Sequence, residues 1–370
     1  MLRFETISGG EWLGQTIRGY APGEEALMKR NEEMGCSCLT WTTEGGVPLW
    51  GRNFDLNLLP PDSQVTFLPP GTAYTPGGPG ATAMEARWGA VGVGTLSVPG
   101  SPMLYEGVNQ MGLMGGQLNY RDFARYPAAP RPGTTALPPG GAVYHLLAQC
   151  ASVEEVVRLL ETEATITAVP LLGVVPTVHW AFADETGESI VIEPEAEGLR
   201  IYRNALGVMT NSPGYLWQRT NLLNYAGVRD LDHGPVALAA ELEPCFSGTG
   251  GQGLPGDWSS PSRFVRLAFL RQYARPGRTE AEGVARLFRL LQSAAFPLGA
   301  VRLEEAEAGG APWEYTIYTA VACARSRRFY WTTYENQRVR YVELPRLVGR
   351  GIPARFPLGN GTDFQCLTDL

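Results

Sequence analysis

Lysine is almost missing from this sequence. The chain has 370 residues and 30 lysines and arginines together, and Lys29 is the single lysine among them. A Schiff-base enzyme, a P-loop and a serine–lysine dyad each depend on a lysine in the folded domain. The sequence therefore excludes pyridoxal phosphate enzymes, P-loop nucleotide enzymes and serine–lysine hydrolases.

Several other signatures of function are absent. No apolar run approaches the ~18 uninterrupted residues that a membrane span needs, and no basic run is long enough to follow a phosphate backbone. The formal net charge of −7 also argues against a nucleic-acid partner. The sequence has no Gly-x-Ser-x-Gly elbow. Gly92-Val93-Gly94 is not extended to a dinucleotide-binding motif, because position 97 is serine.

Cysteine and histidine are scarce, and their spacing does not suit a metal. The six cysteines include no Cys-x-x-Cys pair, and none of the three histidines stands at a ligand spacing from them. Cys150 and Cys323 lie in apolar runs, which favours buried free thiols over a disulfide framework. We therefore expect no metal, no organic cofactor and a reducing, cytoplasmic location.

One histidine lies in a strand-like run, Val178-His179-Trp180. A Cys–His hydrolase would need such a histidine beside its nucleophile. The alternation of the run instead predicts that His179 is a half-buried strand residue with a structural role.

The order of predicted elements is strands, then paired helices, then strands again. The hydrophobic content of 44% can fill a core, while 45 glycines and 29 prolines indicate a loop-rich protein. Ser152-Val153-Glu154-Glu155 is a capping-box pattern that renews a helical stretch. This order is typical of antiparallel sheets with helices outside them, rather than of alternating βαβ units. The predicted strands cover 90–98, 111–118, 178–183, 189–193, 199–203, 208–210, 315–322, 328–333 and 338–344, and the predicted helices cover 143–161, 262–273 and a run beginning at 279.

The most informative segment leads from Gly35 to Asp55. Two apolar runs flank Glu44-Gly45-Gly46, a pattern that predicts a β-hairpin. A turn centred on Glu44 places Cys36 opposite Arg52, with their Cβ atoms ~5 Å apart. A cation at that distance favours the thiolate, which is the nucleophilic form of cysteine. Asp55 comes just past the second strand, within reach of the backbone nitrogen of Cys36.

This arrangement suits a cysteine that becomes the first residue of its chain. Its own α-amine, with a pKa of ~7.7–8.0, would then act as a general base near neutral pH. Cys38 lies two residues further on the same face of the strand and is the alternative nucleophile. We predict Cys36, because the expected register places Arg52 opposite Cys36 and not opposite Cys38.

Six later regions carry patterns of their own: Tyr105–Tyr120, Gly187–Pro194, Gly207–Tyr215, Gly253–Trp258 with Ser262-Arg263-Phe264, Tyr315–Thr319 and Thr333–Asn336. Together with the hairpin, they resemble the choloylglycine hydrolase family in order and approximate spacing. This family includes penicillin V acylases and bile salt hydrolases. The resemblance runs from Cys36 to about Glu343.

The resemblance implies a fold, an activity and an assembly. The implied fold is an α+β, four-layer αββα sandwich of the N-terminal-nucleophile hydrolases, in which two antiparallel sheets lie between helical layers. The implied activity is hydrolysis of a linear amide C–N bond without a cofactor. A homotetramer is also implied.

The resemblance further implies roles for individual residues. In the family pattern, the residue matched by Arg52 poises the thiol, and the residue matched by Asp55 orients the α-amine. Asn211 matches the asparagine whose side-chain amide helps to form an oxyanion hole, and Asn119 matches a position that supplies a backbone N–H to the same oxyanion. Arg263 matches an active-site arginine. The predicted catalytic residues are therefore Cys36, Arg52, Asp55, Asn119, Asn211 and Arg263.

The first 35 residues are rich in charge and have no apolar core segment, so they do not read as a secretory signal. We predict an N-terminal extension over residues 1–35 and a single αββα amidase domain over 36–370. Two readings of the extension remain open. It is a prosegment removed between Gly35 and Cys36, or translation begins at Met34 and only Met-Gly is trimmed.

The expected substrate is a small-molecule amide. The segments 207–215 and 257–263 favour penicillin V acylases, whereas Asn119 favours the bile-salt pattern. We expect penicillin V somewhat ahead of conjugated bile acids, with N-acyl homoserine lactones third. Two alternatives use the same fold: an acyltransferase that forms the same acyl-enzyme, and a non-catalytic binding protein in which the Gly35–Cys36 bond stays intact.

Overall fold

A computed structural model describes residues 3–6, 12–17, 35–60, 62–171, 173–234, 238–239, 241–242, 246–303 and 312–368. For residues 3–6 and 12–17 it describes the backbone alone. Most of the predicted extension, including Lys29 and Met34, lies outside the described residues.

The helices in the described part of the chain are short to medium in length. The α-helices are α1 (Ala142–Gln149), α2 (Val153–Thr162), α3 (Tyr215–Asn221), α4 (Ser260–Tyr273), α5 (Glu280–Gln292) and α6 (Leu344–Arg350). Single 3₁₀ turns occur at Pro139–Gly141, Leu222–Tyr225 and Thr249–Gly251. None of the helices that the structure describes is long and apolar enough to cross a membrane.

Strands make up most of the remaining regular structure. In chain order they are β1 (Arg3–Thr6), β2 (Trp12–Ile17), β3 (Cys36–Thr42), β4 (Pro48–Leu56), β5 (Gln64–Leu68), β6 (Ala73–Tyr74), β7 (Met84–Glu85), β8 (Ala90–Thr95), β9 (Met103–Leu104), β10 (Glu106–Asn109), β11 (Met114–Asn119), β12 (Thr135–Leu137), β13 (Ala164–Ile166), β14 (Val178–Ala183), β15 (Ser189–Glu195), β16 (Gly198–Tyr202), β17 (Val208–Met209), β18 (Val301–Arg302), β19 (Trp313–Cys323), β20 (Arg328–Thr333), β21 (Arg340–Glu343) and β22 (Ala354–Phe356).

Two large antiparallel sheets form the centre of the fold. The first has the order β1-β2-β16-β15-β14-β11-β10-β8-β5-β22, with β9 paired to β8, and the second has the order β17-β3-β4-β19-β20-β21, with β18 paired to β19. Helix α1 packs on the first sheet, whereas α4 and α5 pack on the second. The predicted α+β architecture with two antiparallel sheets is confirmed.

The two sheets approach each other closely where glycine leaves room. The ring of Trp50 on β4 faces Gly116 on β11, and a Cβ at Gly116 would lie 2.9 Å from that ring and 2.6 Å from the Cβ of Glu106. Trp50 is fully buried. The glycine therefore lets a large aromatic side chain fill the space between the sheets at native packing density.

The capping patterns form as the sequence predicts. Ser152 Oγ accepts from the backbone N–H of Glu155 at 3.3 Å, and Glu155 Oε2 accepts from the N–H of Ala151 at 2.8 Å. The stretch predicted over 143–161 is two helices, α1 and α2, because Cys150 is extended with φ −103° and ψ 136°. Asn109 Nδ2 fixes this break by donating to the carbonyl of Cys150 at 2.6 Å.

The hairpin of β3 and β4 forms, but its predicted register is wrong. Cys36 pairs with Phe54, and Cys38 pairs with Arg52. The loop closes through a hydrogen bond from Thr43 N to Val47 O at 3.0 Å, and Gly46 adopts a left-handed φ of +73°. The turn is therefore centred one residue later than expected, which moves the cross-strand partner of each residue by two positions.

Candidate active site

Cys36 is the first residue of β3 and its side chain is fully buried between the two sheets. Arg52 Nη2 donates to Cys36 Sγ at 2.7 Å. Arg52 faces Cys38 in the backbone register, but its guanidinium extends diagonally over the ring of Phe54, the cross-strand partner of Cys36. The predicted contact is therefore present, although the register from which it was predicted is not.

Burial dominates the ionisation of this thiol while the Gly35–Cys36 bond is intact. It raises the pKa of Cys36, whereas the charges of Arg52 and Arg263 lower that pKa and Asp55 raises it. Burial also raises the pKa of Cys38, to about 12. Arg52 therefore offsets part of the cost of forming the Cys36 thiolate, as the sequence analysis expected, but burial outweighs it in this form of the chain.

Arg52 is held by an acid that the sequence analysis missed. Its Nη1 donates to Glu106 Oε2 on β10 at 2.8 Å and to the carbonyl of Gln117 at 3.1 Å. The hydroxyl of Tyr318 on β19 donates to the same carboxylate at 2.9 Å. Arg52 and Glu106 are both buried. In the sequence, Glu106 is visible as an acidic residue within the apolar segment that follows Tyr105, and this was the sign that could have identified it.

The nitrogen of Cys36 is bound by Asn211, not by Asp55. Cys36 N–H donates to Asn211 Oδ1 at 2.8 Å, and Asn211 Nδ2 donates to the carbonyl of Asn119 at 2.9 Å. Asp55 lies inside β4, not past its end as expected, and its own N–H donates to the carbonyl of Gly35 at 3.2 Å. The predicted contact between the Asp55 carboxylate and the Cys36 nitrogen is therefore not made in the intact chain.

The carboxylate of Asp55 is only partly satisfied. The hydroxyl of Thr316 donates to its Oδ1, while Oδ2 is buried without a hydrogen-bond partner among the described residues. Burial raises the pKa of Asp55 to about 6, against the charges of Arg263 and Arg52 and the bond from Thr316. The residue whose N–H binds the Gly35 carbonyl thus carries a carboxylate oxygen that is unsatisfied among the described residues.

Arg263 on α4 joins these groups. Its Nη1 donates to the carbonyl of Cys36 and to Ser37 Oγ, and its Nη2 donates to Asn211 Oδ1 at 2.7 Å. The guanidinium lies over the ring of Phe296, 5.0 Å from its centroid. The structure therefore brings all six predicted residues to one place, where Asn119 contributes its carbonyl to Asn211.

Two cavities meet at this cluster. The first has a volume of about 370 Å³ and contains Cys36, Arg52 and Asn119 in its lining. Its apolar walls include Phe54, Leu56, Met103, Tyr105, Leu171 and Val174. The second has a volume of about 560 Å³, and its polar lining includes Arg121, Ser212, Asp257, Arg263, Arg302 and Glu314.

Asn119 lines both cavities, so an amide that crosses it could place one end in an apolar pocket and the other in a polar one. Gly35 lines the polar cavity, and its N–H donates to Glu314 Oε1. Among the described residues, no group of three His, Cys, Asp or Glu side chains could hold a metal ion. The chemistry that this arrangement supports is attack by a buried thiol beside amide and guanidinium donors.

Comparison with known proteins gives one consistent picture. A family model described as linear amide C–N hydrolases of the choloylglycine hydrolase family matches residues 36–347. The bile salt hydrolase/transferase of Clostridium perfringens (strain 13 / Type A) is 31% identical over 312 residues, which make up 84% of this chain and 92% of that protein.

Solved structures agree with this match. A mutant of the conjugated bile acid hydrolase from Clostridium perfringens superposes with a TM-score of 0.81 at 28% identity, over 90% of this chain and 99% of that chain. Penicillin V acylase from Agrobacterium tumefaciens superposes with a TM-score of 0.68 at 18% identity, over 88% of this chain and 92% of that chain. This second likeness concerns the fold alone.

Proposed function

This chain belongs to the choloylglycine hydrolase family and is a linear amide C–N hydrolase, and from that premise we propose that Cys36 is its N-terminal nucleophile. The observation that carries the proposal is the contact of Cys36 Sγ with Arg52 Nη2 at 2.7 Å, in a cluster that also holds the nitrogen of Cys36 on Asn211. An N-terminal nucleophile requires that the bond between Gly35 and Cys36 is cut.

Cleavage turns the nitrogen of Cys36 from a peptide N–H into an α-amine. Asn211 Oδ1 already accepts from this nitrogen, and the free Oδ2 of Asp55 is the nearby carboxylate that would take a further N–H. An α-amine has a pKa of ~7.7–8.0, so it is a suitable base near neutral pH. Asp55 and Asn211 are proposed to orient it.

The proposed reaction has two stages. The α-amine takes the proton of the Cys36 thiol, and Sγ attacks the amide carbon of a substrate whose acyl group fills the apolar cavity. The α-amine then passes its proton to the leaving amine as the C–N bond breaks, which leaves a thioester on Sγ. Water attacks the thioester with the same amine as base, releases the acid and restores the thiol.

The oxyanion of each tetrahedral intermediate needs donors beside Sγ. Asn211 Nδ2 is an uncharged side-chain donor in this cluster, and it donates to the carbonyl of Asn119. We assign Nδ2 and the backbone N–H of Asn119 to the oxyanion, with Arg263 fixing Oδ1 of the same amide. A single donor of this kind contributes ~10²–10³ in rate.

Substrate choice depends mainly on the acyl group. The relative at 31% identity is named as a bile salt hydrolase/transferase, whereas the penicillin V acylase at 18% supports the fold alone. This supports conjugated bile acids at least as strongly as penicillin V, which the sequence patterns put first. N-acyl homoserine lactones remain the third candidate, since an apolar acyl pocket discriminates weakly.

Intact mass and activity test the nucleophile together. We expect active protein to begin at Cys36 and to hydrolyse one of the three amides, with kcat/KM giving their order. Full activity in a chain whose Gly35–Cys36 bond is intact would contradict the N-terminal mechanism. An intact Gly35–Cys36 bond together with no turnover of any amide would support the non-catalytic alternative.

A second candidate function is acyl transfer. The relative at 31% identity carries both activities in its name, and the same thioester can be resolved by an amine instead of water. Product analysis with a second amine in excess distinguishes the two. Conjugate formation at a rate comparable to hydrolysis would identify a transferase.

We further propose a homotetramer in the cytoplasm. Large apolar side chains are exposed between residues 216 and 246, including Leu216, Trp217, Leu223, Leu231 and Phe246. These side chains are close in sequence, and exposed apolar surface of this kind is a feature of proteins that pack against a partner. Light scattering tests the assembly, and a strict monomer would contradict it. The cysteines that the structure describes are free thiols, which suits a reducing compartment.

A further inference from the structure

His179 on β14 is buried in a cluster that the mechanism above does not use. Its side chain is 1% exposed, so it is not half-buried as the sequence suggested. Its ring stacks on Tyr120 with centroids 4.5 Å apart. Nδ1 lies 3.1 Å from Glu193 Oε1, and Nε2 lies 2.8 Å from the carbonyl oxygen of Thr210.

Both partners of this ring are hydrogen-bond acceptors. A neutral imidazole has one N–H and one lone pair, so it can satisfy only one of two acceptors. The Glu193 carboxylate is itself the acceptor for the backbone N–H of Tyr215, at 2.9 and 3.0 Å from its two oxygens. With an ionised Glu193 and a neutral His179, a nitrogen lone pair would therefore face an acceptor in a buried site, which is costly.

We propose that His179 and Glu193 hold an additional proton between them, and that the pair is a positioning device for Asn211. In the simplest form, an imidazolium donates from Nδ1 to Glu193 and from Nε2 to Thr210. This inference rests on the proposed role of Asn211 in the reaction. His179 touches neither the thiol nor the substrate cavities in the structure, so it acts through the loop.

The pair fixes both ends of the loop that carries Asn211. His179 binds the carbonyl of Thr210, directly before Asn211, and Glu193 binds the N–H of Tyr215, where α3 begins. Ser260 Oγ accepts from the N–H of Asn211 at 3.0 Å. Asn211 is thus attached through its own nitrogen to α4 and through its neighbours to the His179–Glu193 pair.

The titratable and charged groups in and around the pair come from four parts of the fold. Glu193 and Glu195 come from β15, Tyr120 follows β11, Tyr215 begins α3, and Arg200 and Tyr202 come from β16. Arg200 pairs with Glu193 across the strands, and its Nε lies 2.6 Å from Glu195 Oε2. Burial and the charge of Glu193 together raise the pKa of Glu195 to about 7. Tyr120 stacks on the ring of His179, and its hydroxyl donates to Glu195 Oε1 at 3.5 Å. The effect of Glu195 must therefore be separated from that of the pair.

Loss of the shared proton would release the loop. The Thr210 carbonyl or the Glu193 carboxylate would then face a lone pair, and Asn211 would move with its neighbour. A misplacement of about 1 Å in such a constellation can cost ~10²-fold in rate. The pair therefore acts on kcat through the position of Asn211 and not through contact with the thiol or the α-amine.

Glu193→Gln tests the additional proton separately from the hydrogen bonds of the pair to Thr210 and Tyr215. The new amide nitrogen can donate to Nδ1 of a neutral His179, whose Nε2–H still binds Thr210, and the amide oxygen can accept from Tyr215. These hydrogen bonds then need no additional proton, so Glu193→Gln should retain kcat where His179→Phe loses it. Glu195→Gln is the matched control on the same strand face, because it removes a neighbouring charge without touching these hydrogen bonds.

The direct test is NMR of the full chain labelled with ¹⁵N-histidine, since the chain has three histidines. We expect two protonated ring nitrogens for His179 at neutral pH, identified by their loss in His179→Phe. His145 is the internal contrast, because burial lowers its pKa to about 4 and leaves one ring N–H. A single protonated nitrogen on His179 would also fit a neutral ring beside protonated Glu193, in which case the Glu193 carboxyl signal must show the proton.

Absence of the proton from both groups would overturn the proposal, and this result does not depend on any substrate. Steady-state kinetics then test whether the pair positions Asn211. We expect His179→Phe, which keeps the stack on Tyr120, to lower kcat by ~10-fold or more with KM little changed. Unchanged kcat in folded His179→Phe, or an equal loss of kcat in folded Glu193→Gln, would also overturn it.

Discussion

Arg52 donates to Cys36 Sγ at 2.7 Å although its partner across the hairpin is Cys38. Cys36 and Cys38 lie on the same face of β3, so one long side chain on β4 can reach either thiol. The hydrogen bond from Arg52 Nη1 to Glu106 at 2.8 Å on the opposite sheet pulls the guanidinium into the space between the sheets, where Cys36 lies. The length of the Arg52 side chain and its bond to Glu106, and not the hairpin register, therefore determine which thiol it contacts.

The two cysteines should differ sharply when each is replaced. Cys36→Ala should abolish turnover with the fold retained, because the proposed nucleophile is lost. Cys38→Ala should leave most of the activity, since Cys38 Sγ has no comparable contact with Arg52 and its pKa is raised to about 12. Activity against the preferred amide, with circular dichroism as the folding control, checks both. The reverse pattern would identify Cys38 as the nucleophile.

Arg52 should control the ionisation of Cys36. Its charge lowers the pKa of the buried thiol, so Arg52→Gln should shift the pH profile of Cys36 alkylation by iodoacetamide to higher pH. The rate at pH 7 should fall several-fold, as followed by peptide mass spectrometry. The double variant Arg52→Gln/Glu106→Gln is the control, because it avoids leaving Glu106 buried without its cation. An unshifted profile in both variants would show that Arg52 does not poise the thiol.

Local features of the fold could be predicted from sequence, whereas distances across the chain could not. The caps of α2 and α5 depend on residues three positions apart, and both form: Ser152 accepts from Glu155, and Thr279 accepts from Glu282. The hairpin register depends on the conformation of one glycine, Gly46, which the pattern of apolar residues does not specify. A shift of one residue in the turn was enough to misplace every cross-strand pair.

The candidate site shows the same contrast between local features, which the sequence predicts, and contacts between distant positions, which it does not. The approach of Asn211 to Cys36 joins positions 175 residues apart, and no periodicity or spacing predicts it. It could be expected only because the order of segments resembles a family. Glu106 was missed because an acid within an apolar strand has no local signature of its partner, and that partner lies on the other sheet.

Asp55 should make the unprocessed chain less stable as pH rises. Burial raises its pKa from an ordinary value of 3.8 to about 6. The folded state therefore binds a proton more tightly than the unfolded state, and this contribution to stability is present below pH 3.8 and is lost as pH rises through about 6. In a Cys36→Ala background whose bond between residues 35 and 36 is shown by intact mass to be uncut, Asp55→Asn should reduce the fall in unfolding free energy between pH 4 and 7 by on the order of 2 kcal/mol.

Asp257 is the matched control for this measurement. Hydrogen bonds from Ser259 and Ser262 lower its pKa to about 2. Its contribution is therefore present above the ordinary value and is lost only as pH falls through about 2, so Asp257→Asn should leave the slope between pH 4 and 7 unchanged. Urea unfolding at each pH provides the free energies. Equal slopes in the Asp55→Asn variant and its parent would contradict a raised pKa.

Asn211→Asp should isolate the oxyanion donor. Aspartate keeps an oxygen for the Cys36 nitrogen and for Arg263, but it cannot donate as Nδ2 does to Asn119. We expect processing and fold to be retained and kcat to fall by ~10²–10³, with a smaller change in KM. Intact mass and steady-state kinetics check both parts. A kcat close to that of the unmodified protein would remove Asn211 Nδ2 from the oxyanion hole.

Met103 should help to set the size of the acyl group. It lies on β9 and lines the apolar cavity of about 370 Å³ that contains Cys36. Met103→Ala removes a flexible side chain from the wall, so the cavity gains room for a bulky steroid acyl group and loses contacts to a smaller phenoxyacetyl group. One methylene in such a pocket is worth ~1–3 kcal/mol. We therefore expect the ratio of kcat/KM for a conjugated bile acid to that for penicillin V to rise by at least ~10-fold.

Leu104 is the matched control, because it is the next residue on β9 but does not line the acyl cavity. It is fully buried in a hydrophobic cluster that also contains Leu146 and Leu147 of α1. Leu104→Ala should cost ~2–5 kcal/mol of stability but leave the ratio of the two kcat/KM values unchanged. The two variants thus separate loss of packing from a change in pocket shape. If Met103→Ala lowers both kcat/KM values in equal proportion, the apolar cavity is not the acyl site, and the polar cavity on the other side of Asn119 becomes the better candidate for it.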